Sequence, residues 1–155
     1  MEISTSTNIV AFTNGRGRLP VDFCIATCAA AGYTTLDMNF CVAMNPDSPM
    51  RGDGWRDYVQ AIADQAKALG IRFSQAHLPY YDVGRLPGDD VDPVMEELIR
   101  RSIIGCGMLG IPWAVTHPIT RRDLGNNAAA QREANLRYFA PHVVTAAANG
   151  LGLAL

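Results

Sequence analysis

The chain has 155 residues, of which 48% are apolar and 18% charged, with a net charge of −2. That length and apolar share suit one domain with a buried core and exclude a disordered polar chain. With 13 basic against 15 acidic residues, and only Arg121-Arg122 and the spaced Arg16 and Arg18 as basic clusters, the charge argues against a broad nucleic-acid face.

No run approaches the roughly 20 apolar residues that a membrane span needs. Met1 to Thr7 lacks the basic and apolar regions of a secretion signal. These features lead us to expect a cytoplasmic protein. The four cysteines are Cys24, Cys28, Cys41 and Cys106. Cys24 and Cys28 share a helical face, but their spacing is not C-x-x-C, so we expect small core residues rather than a redox or disulfide pair.

Residues 2–7 are β-branched and alternate weakly, which suits a first strand. Asn14-Gly15-Arg16-Gly17 marks a loop, and Pro20 fits the first turn of a helix to Ala31. Val21, Cys24, Ile25, Cys28 and Ala29 repeat at helical spacing, and Gly32 stops the run. A second strand covers Thr34 to Met38 and carries Asp37 near its end. A loop rich in Pro, Asp and Gly follows, from Asn39 to Asp53. The next helix runs from Trp55 to Leu69, with Trp55, Tyr58, Val59, Ile62, Ala63, Ala66 and Leu69 as one apolar stripe.

Gly70 ends that helix and a strand runs from Ile71 to Ala76, leading into His77-Leu78-Pro79-Tyr80. After a polar loop, Asp92-Pro93 reads as an N-cap and an N1 proline. The helix they open reaches Leu109, with Met95, Leu98, Ile99, Ser102, Cys106 and Leu109 inward. A fourth strand, Trp113 to Thr116, runs into His117-Pro118, and Trp113 reads as core. A fourth helix spans residues 128–149 with an expected stripe of Leu136, Phe139, Ala140, Val143 and Ala147. Pro141 should kink it, and His142 beside that proline reads as surface. A fifth strand begins at Leu151.

Strands alternating with helices run parallel through right-handed crossovers. The fold class is therefore α/β, built of parallel (β/α) repeats, as either a doubly wound sheet or part of a (β/α)8 barrel. Both present ligand sites at the carboxyl ends of the strands. Those ends carry Thr7 and Asn8, Asp37 and Asn39, His77, and His117. Neighbouring strands lie about 4.8 Å apart, so two imidazoles there can open into one pocket and share a metal, a phosphate or a sugar hydroxyl. Asp37 can orient them or accept a hydroxyl, and Tyr80 and Tyr81 can wall the pocket. Gly105-Cys106-Gly107-Met108-Leu109-Gly110 matches G-x-G-x-x-G, but it closes a helix where a dinucleotide fingerprint opens one. We assign it no nucleotide role.

The pieces occur in an order that resembles the xylose-isomerase-like barrels, a superfamily of sugar-phosphate isomerases and epimerases that includes endonuclease IV. The matching segments are Ile3-Ser4-Thr5-Ser6, Ala30-Ala31-Gly32-Tyr33 before Leu36-Asp37, and Ala68-Leu69-Gly70-Ile71 before Ala76-His77. Leu109-Gly110-Ile111-Pro112 before Thr116-His117-Pro118, and Ala146 to Leu151 before Leu153-Ala154-Leu155, complete the series. The resemblance implies that residues 1–155 are one N-terminal (β/α)4–5 portion, about half of a TIM barrel.

It also implies a divalent metal (Mn, Mg, Co or Zn), a small sugar or sugar phosphate as substrate, and proton transfer next to a carbonyl. The substrate-binding candidates are His77, His117, Asp37 and Tyr80; in the endonuclease-like pattern His77 and His117 are metal ligands. The relatives' first metal-binding glutamate belongs at the end of the fifth strand, where this chain stops, so most metal ligands are expected to be absent. The expected partner is a second copy of the chain or a missing C-terminal half. The alternatives are an abasic-site nuclease and a non-catalytic, self-associating half-barrel.

Overall fold

The computed structural model describes residues 3–11, 18–81 and 91–155. The strands are β1 (Ser4–Ser6), β2 (Thr35–Asn39), β3 (Arg72–His77), β4 (Trp113–Val115) and β5 (Gly152–Ala154). The helices between them are α1 (Val21–Ala30), α2 (Trp55–Ala68), α3 (Pro93–Met108) and α4 (Ala128–Ala148). The loop expected after β2 folds into two 3-10 turns, Phe40–Met44 and Pro49–Arg51. The N-terminal part of the expected first strand, the Asn14–Gly17 turn and most of the loop after Tyr80 lie outside the described residues.

The sheet order is β1-β2-β3-β4-β5, and every pair is parallel. That order decides between the two architectures. A doubly wound sheet reverses direction partway and puts helices on both faces. Here each right-handed crossover advances one strand the same way, so the helices gather on one face and pack in sequence, α1 on α2, α2 on α3 and α3 on α4. The result is an arc of a (β/α) barrel with an open concave face.

Each helix returns to the sheet through the same device. At the end of α2, Gly70 (φ 67°) donates its N–H to the carbonyl of Lys67, and the next residue, Ile71, donates to Ala66. This is a Schellman closure, in which the left-handed residue costs an L-amino acid about 1 to 2 kcal/mol and glycine almost nothing. Gly32-Tyr33, Gly110-Ile111 and Gly150-Leu151 repeat the pairing at the ends of α1, α3 and α4. Ile71, Ile111 and Leu151 are buried and so anchor the entry of the following strand.

The core lies between sheet and helices. Leu36, Met38, Phe73, Ala76 and Ala114 face Val59, Ile62, Leu98, Ile103 and Cys106, with Phe40 and Met50 from the 3-10 turns fully buried among them. Cys24, Cys28 and Cys106 are buried free thiols, as expected. The α2 stripe is buried at Trp55, Val59, Ile62 and Ala66, while Leu69 at its end is exposed.

Three expectations are corrected. In α4 the buried residues are Ala134, Phe139, His142 and Ala146, so only Phe139 of the expected stripe faces inward. Leu136 and Val143 are 58% and 52% exposed; they form a second apolar stripe on the far side of the helix, which misled the periodicity. His142 is only 6% exposed rather than on the surface, because the inward side of α4 meets polar groups of α3. Trp113 is 54% exposed rather than core: it lies on the concave face, with its ring over Gly152 of β5. α4 runs unbroken through Pro141.

The three glycines of the G-x-G-x-x-G match each have a packing reason. A Cβ on Gly105 would stand 3.0 Å from the buried Phe40 ring, and one on Gly107 2.9 Å from both Cβ and the carbonyl oxygen of Asn149. Gly110 is the left-handed closure of α3.

Candidate functional site

The concave end of β2 and β3 carries the best-defined polar group. Asp37 is 8% exposed and uses one oxygen twice: Oδ2 accepts from Gln75 Nε2 at 3.0 Å and lies 2.7 Å from Nδ1 of His77. Oδ1 is buried with no partner among the described residues. The His77 side chain is 36% exposed, with Nδ1 turned to the Asp37 carboxylate at ion-pair distance and Nε2 as the ring's second nitrogen.

A β-bulge makes this arrangement possible. Leu36 pairs with Phe73, but the next residue, Asp37, pairs with Gln75, so Ser74 is an extra residue in β3. Side chains alternate along a strand, so without it Phe73, Gln75 and His77 would share the helix-facing side. The extra residue keeps Phe73 and Ala76 in the core and turns Gln75 and His77 to the concave face beside Asp37.

The loop after β1 is tied to the same place. Thr7 N–H donates to the Asp37 carbonyl at 2.9 Å, and Thr7 Oγ1 accepts from Asn39 N–H at 3.0 Å. Together these strand ends line an open groove formed by Thr5, Ser6, Asn8, Ile9, Asp37, Asn39 and His77. A larger cleft lies near the start of α1, lined by Arg18, Pro20, Asp22, Asn45, Asp47 and Tyr58 among others. It includes neither Asp37 nor His77, and the strand-end groove is the one at the carboxyl edge where such sheets bind ligands.

His117 stands apart from this group. The register places Val115, not His117, opposite His77, so His117 lies two residues further along its strand's exit. It is exposed and meets Tyr80 edge-on, with ring centroids 4.5 Å apart. Asp37 and His77 are therefore brought together, while His117 and Tyr80 form a neighbouring aromatic pair. Among the described residues, no three His, Cys, Asp or Glu side chains cluster to hold a metal ion. His77 offers one free ring nitrogen, and zinc usually takes four donors, so the described residues do not complete the implied metal site.

A second polar cluster lies in the helix layer and escaped the sequence reading. Glu96 of α3 accepts from Tyr81 Oη at 2.9 Å and Tyr138 Oη at 3.0 Å through Oε1. Its Oε2 lies 3.1 Å from His142 Nε2, close enough for an ion pair but out of line for a hydrogen bond. Burial alone would raise the Glu96 pKa, but contacts with His142, Tyr81 and Tyr138 hold it below the ordinary value. Burial and the nearby carboxylate push both tyrosines well above the usual phenol range. The available signal was weak: a glutamate in the first turn of one helix, and a tyrosine and histidine four residues apart in another.

No family model matches the chain, and no curated protein matches it significantly. Solved structures do. A D-psicose 3-epimerase crystallised in the presence of D-fructose aligns with TM-score 0.65 and 13% identity over 99% of this chain and 51% of its own. A D-tagatose 3-epimerase-like protein aligns with TM-score 0.64 and 15% identity over 100% of this chain and 52% of its own. A xylose isomerase domain protein from Planctomyces limnophilus gives 0.61 and 14%, over 99% and 51%. At such identities the likeness speaks for the fold, and the chain spans about half the length of each. The five strands in sequential order and these alignments together identify the fold as about half of a (β/α)8 barrel.

Proposed function

We propose that residues 1–155 form the N-terminal (β/α) portion of a cytoplasmic sugar or sugar-phosphate isomerase or epimerase, and that the groove at Asp37 and His77 receives a sugar hydroxyl. The observation that carries this reading is the Asp37–His77 pair on the concave face, 2.7 Å apart, at the carboxyl edge of the sheet. The Asp37 carboxylate beside Nδ1 would stabilise an imidazolium formed when Nε2 takes a proton. Nε2 can thus accept a hydroxyl proton from an open-chain or ring-closed sugar. Gln75 holds the carboxylate in place, and Asn39, Ser6 and Thr5 add polar groups along the groove. We read the neighbouring Tyr80–His117 pair as a further part of the ligand wall. The proton next to the carbonyl would be moved by groups that the described residues do not supply.

Imidazole NMR during titration with ketohexoses and their phosphates tests this reading. The expected result is a ligand-dependent shift at His77 that Asp37→Asn abolishes. No shift at His77 with any of these sugars would refute it.

A specific observation also favours self-association. Some of the exposed large apolar side chains belong to the first and last elements of the arc: Ile3 and Phe23 beside β1 and on α1, and Leu136, Val143, Val144 and Leu155 on α4 and after β5. Among the described residues, β1 and β5 each pair on one side only, and proteins normally cover such edges. We propose that a second copy packs end to end against these surfaces, with a chain supplying the rest of a barrel as the competing occupant. Sedimentation across a concentration series separates them: a concentration-dependent dimer supports the first, and a monomer at all concentrations overturns it.

A further inference from the structure

The half-buried Glu96 cluster and the Tyr80–His117 aromatic pair meet at two consecutive residues. Tyr80 places its ring against His117, with centroids 4.5 Å apart. Tyr81 turns the other way, into the helix layer, where its hydroxyl reaches Glu96 at 2.9 Å. The same hydroxyl accepts from the N–H of Asp92, the α3 N-cap, at 3.1 Å and lies 3.2 Å from the Asp92 carbonyl. One phenol is thus bound at the first turn of α3 through side chain and backbone. Glu96 is held in turn from α4, by Tyr138 at 3.0 Å and by His142 at 3.1 Å. The rings of Tyr81 and Tyr138 meet edge-on at 6.3 Å, and those of Tyr138 and His142 at 5.1 Å.

We propose that Glu96 and Tyr81 are positioning residues for the groove: by anchoring Tyr81 to α3, the cluster sets where Tyr80 stands and so orients the imidazole of His117. The proposal rests on the reading of His117 as part of the ligand wall, but its first test does not. A half-buried carboxylate in a helix layer has no packing advantage over a leucine, and its desolvation is offset here by three partners on two other segments. Those partners join α3, α4 and the exit of β3. Simple helix–helix adhesion would need only the α3–α4 contacts. The Tyr81 arm is the part that adhesion does not require, and it is the part joined to Tyr80 and, through it, to His117. Among the described residues, the charged or titratable groups around Glu96 are Tyr81, Asp92, Tyr138 and His142.

The test compares Tyr81→Phe with Tyr138→Phe. Each removes one hydroxyl from Glu96 and keeps the ring, but only the first is linked to Tyr80. The chain has three histidines, so the imidazole resonances of His77, His117 and His142 can be followed together. Tyr81→Phe is expected to shift the His117 resonances more than Tyr138→Phe does, and to leave His77 in place. Equal effects on His117, or none, would overturn the proposal. Should Tyr81→Phe fail to fold, Glu96→Gln, with its weaker amide acceptor, must move the same His117 resonances; if it leaves them fixed the idea fails. In a second arm, sugar titration of Tyr81→Phe should weaken binding while the His77 response survives. A His117 shift without any sugar response keeps the positioning role and removes only the ligand reading.

Discussion

Gly107→Ala puts the packing account of the glycine-rich segment at risk, because two effects of similar size oppose each other. Replacing a glycine inside α3 by alanine gains about 1 kcal/mol of helix propensity. The new methyl would stand 2.9 Å from both Cβ and the carbonyl oxygen of Asn149. Carbon atoms rest about 3.5 to 4.0 Å apart, so the ends of α3 and α4 must part by about 0.6 Å or more. The obstacle includes backbone at the cap of α4, which cannot swing aside as a flexible side chain can. Overpacking of this kind costs about 1 to 3 kcal/mol, so the expected net change is a loss of about 1 kcal/mol. In urea, with a slope near 2 kcal/mol per molar, the unfolding midpoint should fall by about 0.5 M. A midpoint that rises would show propensity acting alone and would refute the close approach of the two helices. Gly105→Ala, facing the fully buried Phe40 ring at 3.0 Å, should lose stability for the same reason.

Acid should weaken the fold through Glu96 and Glu97. Both carboxyls sit below their ordinary 4.5 in the folded chain, Glu97 at about 2 beside Arg100 and Arg101. A depressed carboxyl contributes stability above 4.5 that is lost as pH falls through the folded value, so urea midpoints should drop below about pH 4.5. Glu96→Gln should flatten that slope more than Glu97→Gln, because water screens the exposed Glu97 pairs; equal slopes would contradict this. Asp37→Asn should cost about 1 kcal/mol of stability yet remove the sugar response of His77, as read by calorimetry and imidazole NMR. Val143→Asp, on the outer stripe of α4, should leave monomer stability within about 0.5 kcal/mol and abolish concentration-dependent association in sedimentation; an unchanged dimer would place the interface elsewhere.

Much of the architecture was legible because it is punctuated locally. Gly32, Gly70, Gly110 and Gly150 stand where four helices turn back, and their left-handed backbone is a demand that sequence shows directly. The α2 stripe was legible because one side of that helix is apolar and the other charged. α4 was not, since it has two apolar stripes. A periodicity argument took the one that faces outward, and with it misplaced Leu136, Val143 and His142. Trp113 misled for a related reason. A large aromatic in a strand normally finds a wall opposite it, and the concave face of this arc has none among the described residues.

The candidate site shows the limit more sharply. Reading His77 and His117 as equivalent strand ends takes each strand as regular, counted back from its proline. The chain breaks that rule at Ser74, where one extra residue in β3 inverts the side-chain alternation. Nothing in Arg72-Phe73-Ser74-Gln75-Ala76-His77 announces the insertion; it is forced by its neighbours. Phe73 must lie against Leu36 in the core, and Ala76 must lie against Met38, three residues on in one strand and two in the other. Two core contacts of unequal spacing can both be kept only by a bulge, since moving Phe73 out to water would cost roughly 1.5 to 3 kcal/mol. The same compromise delivers Gln75 and His77 to the carboxylate of Asp37. The geometry that makes a histidine–aspartate pair here is thus a by-product of packing on the opposite face, and a reading of β3 alone could not contain it.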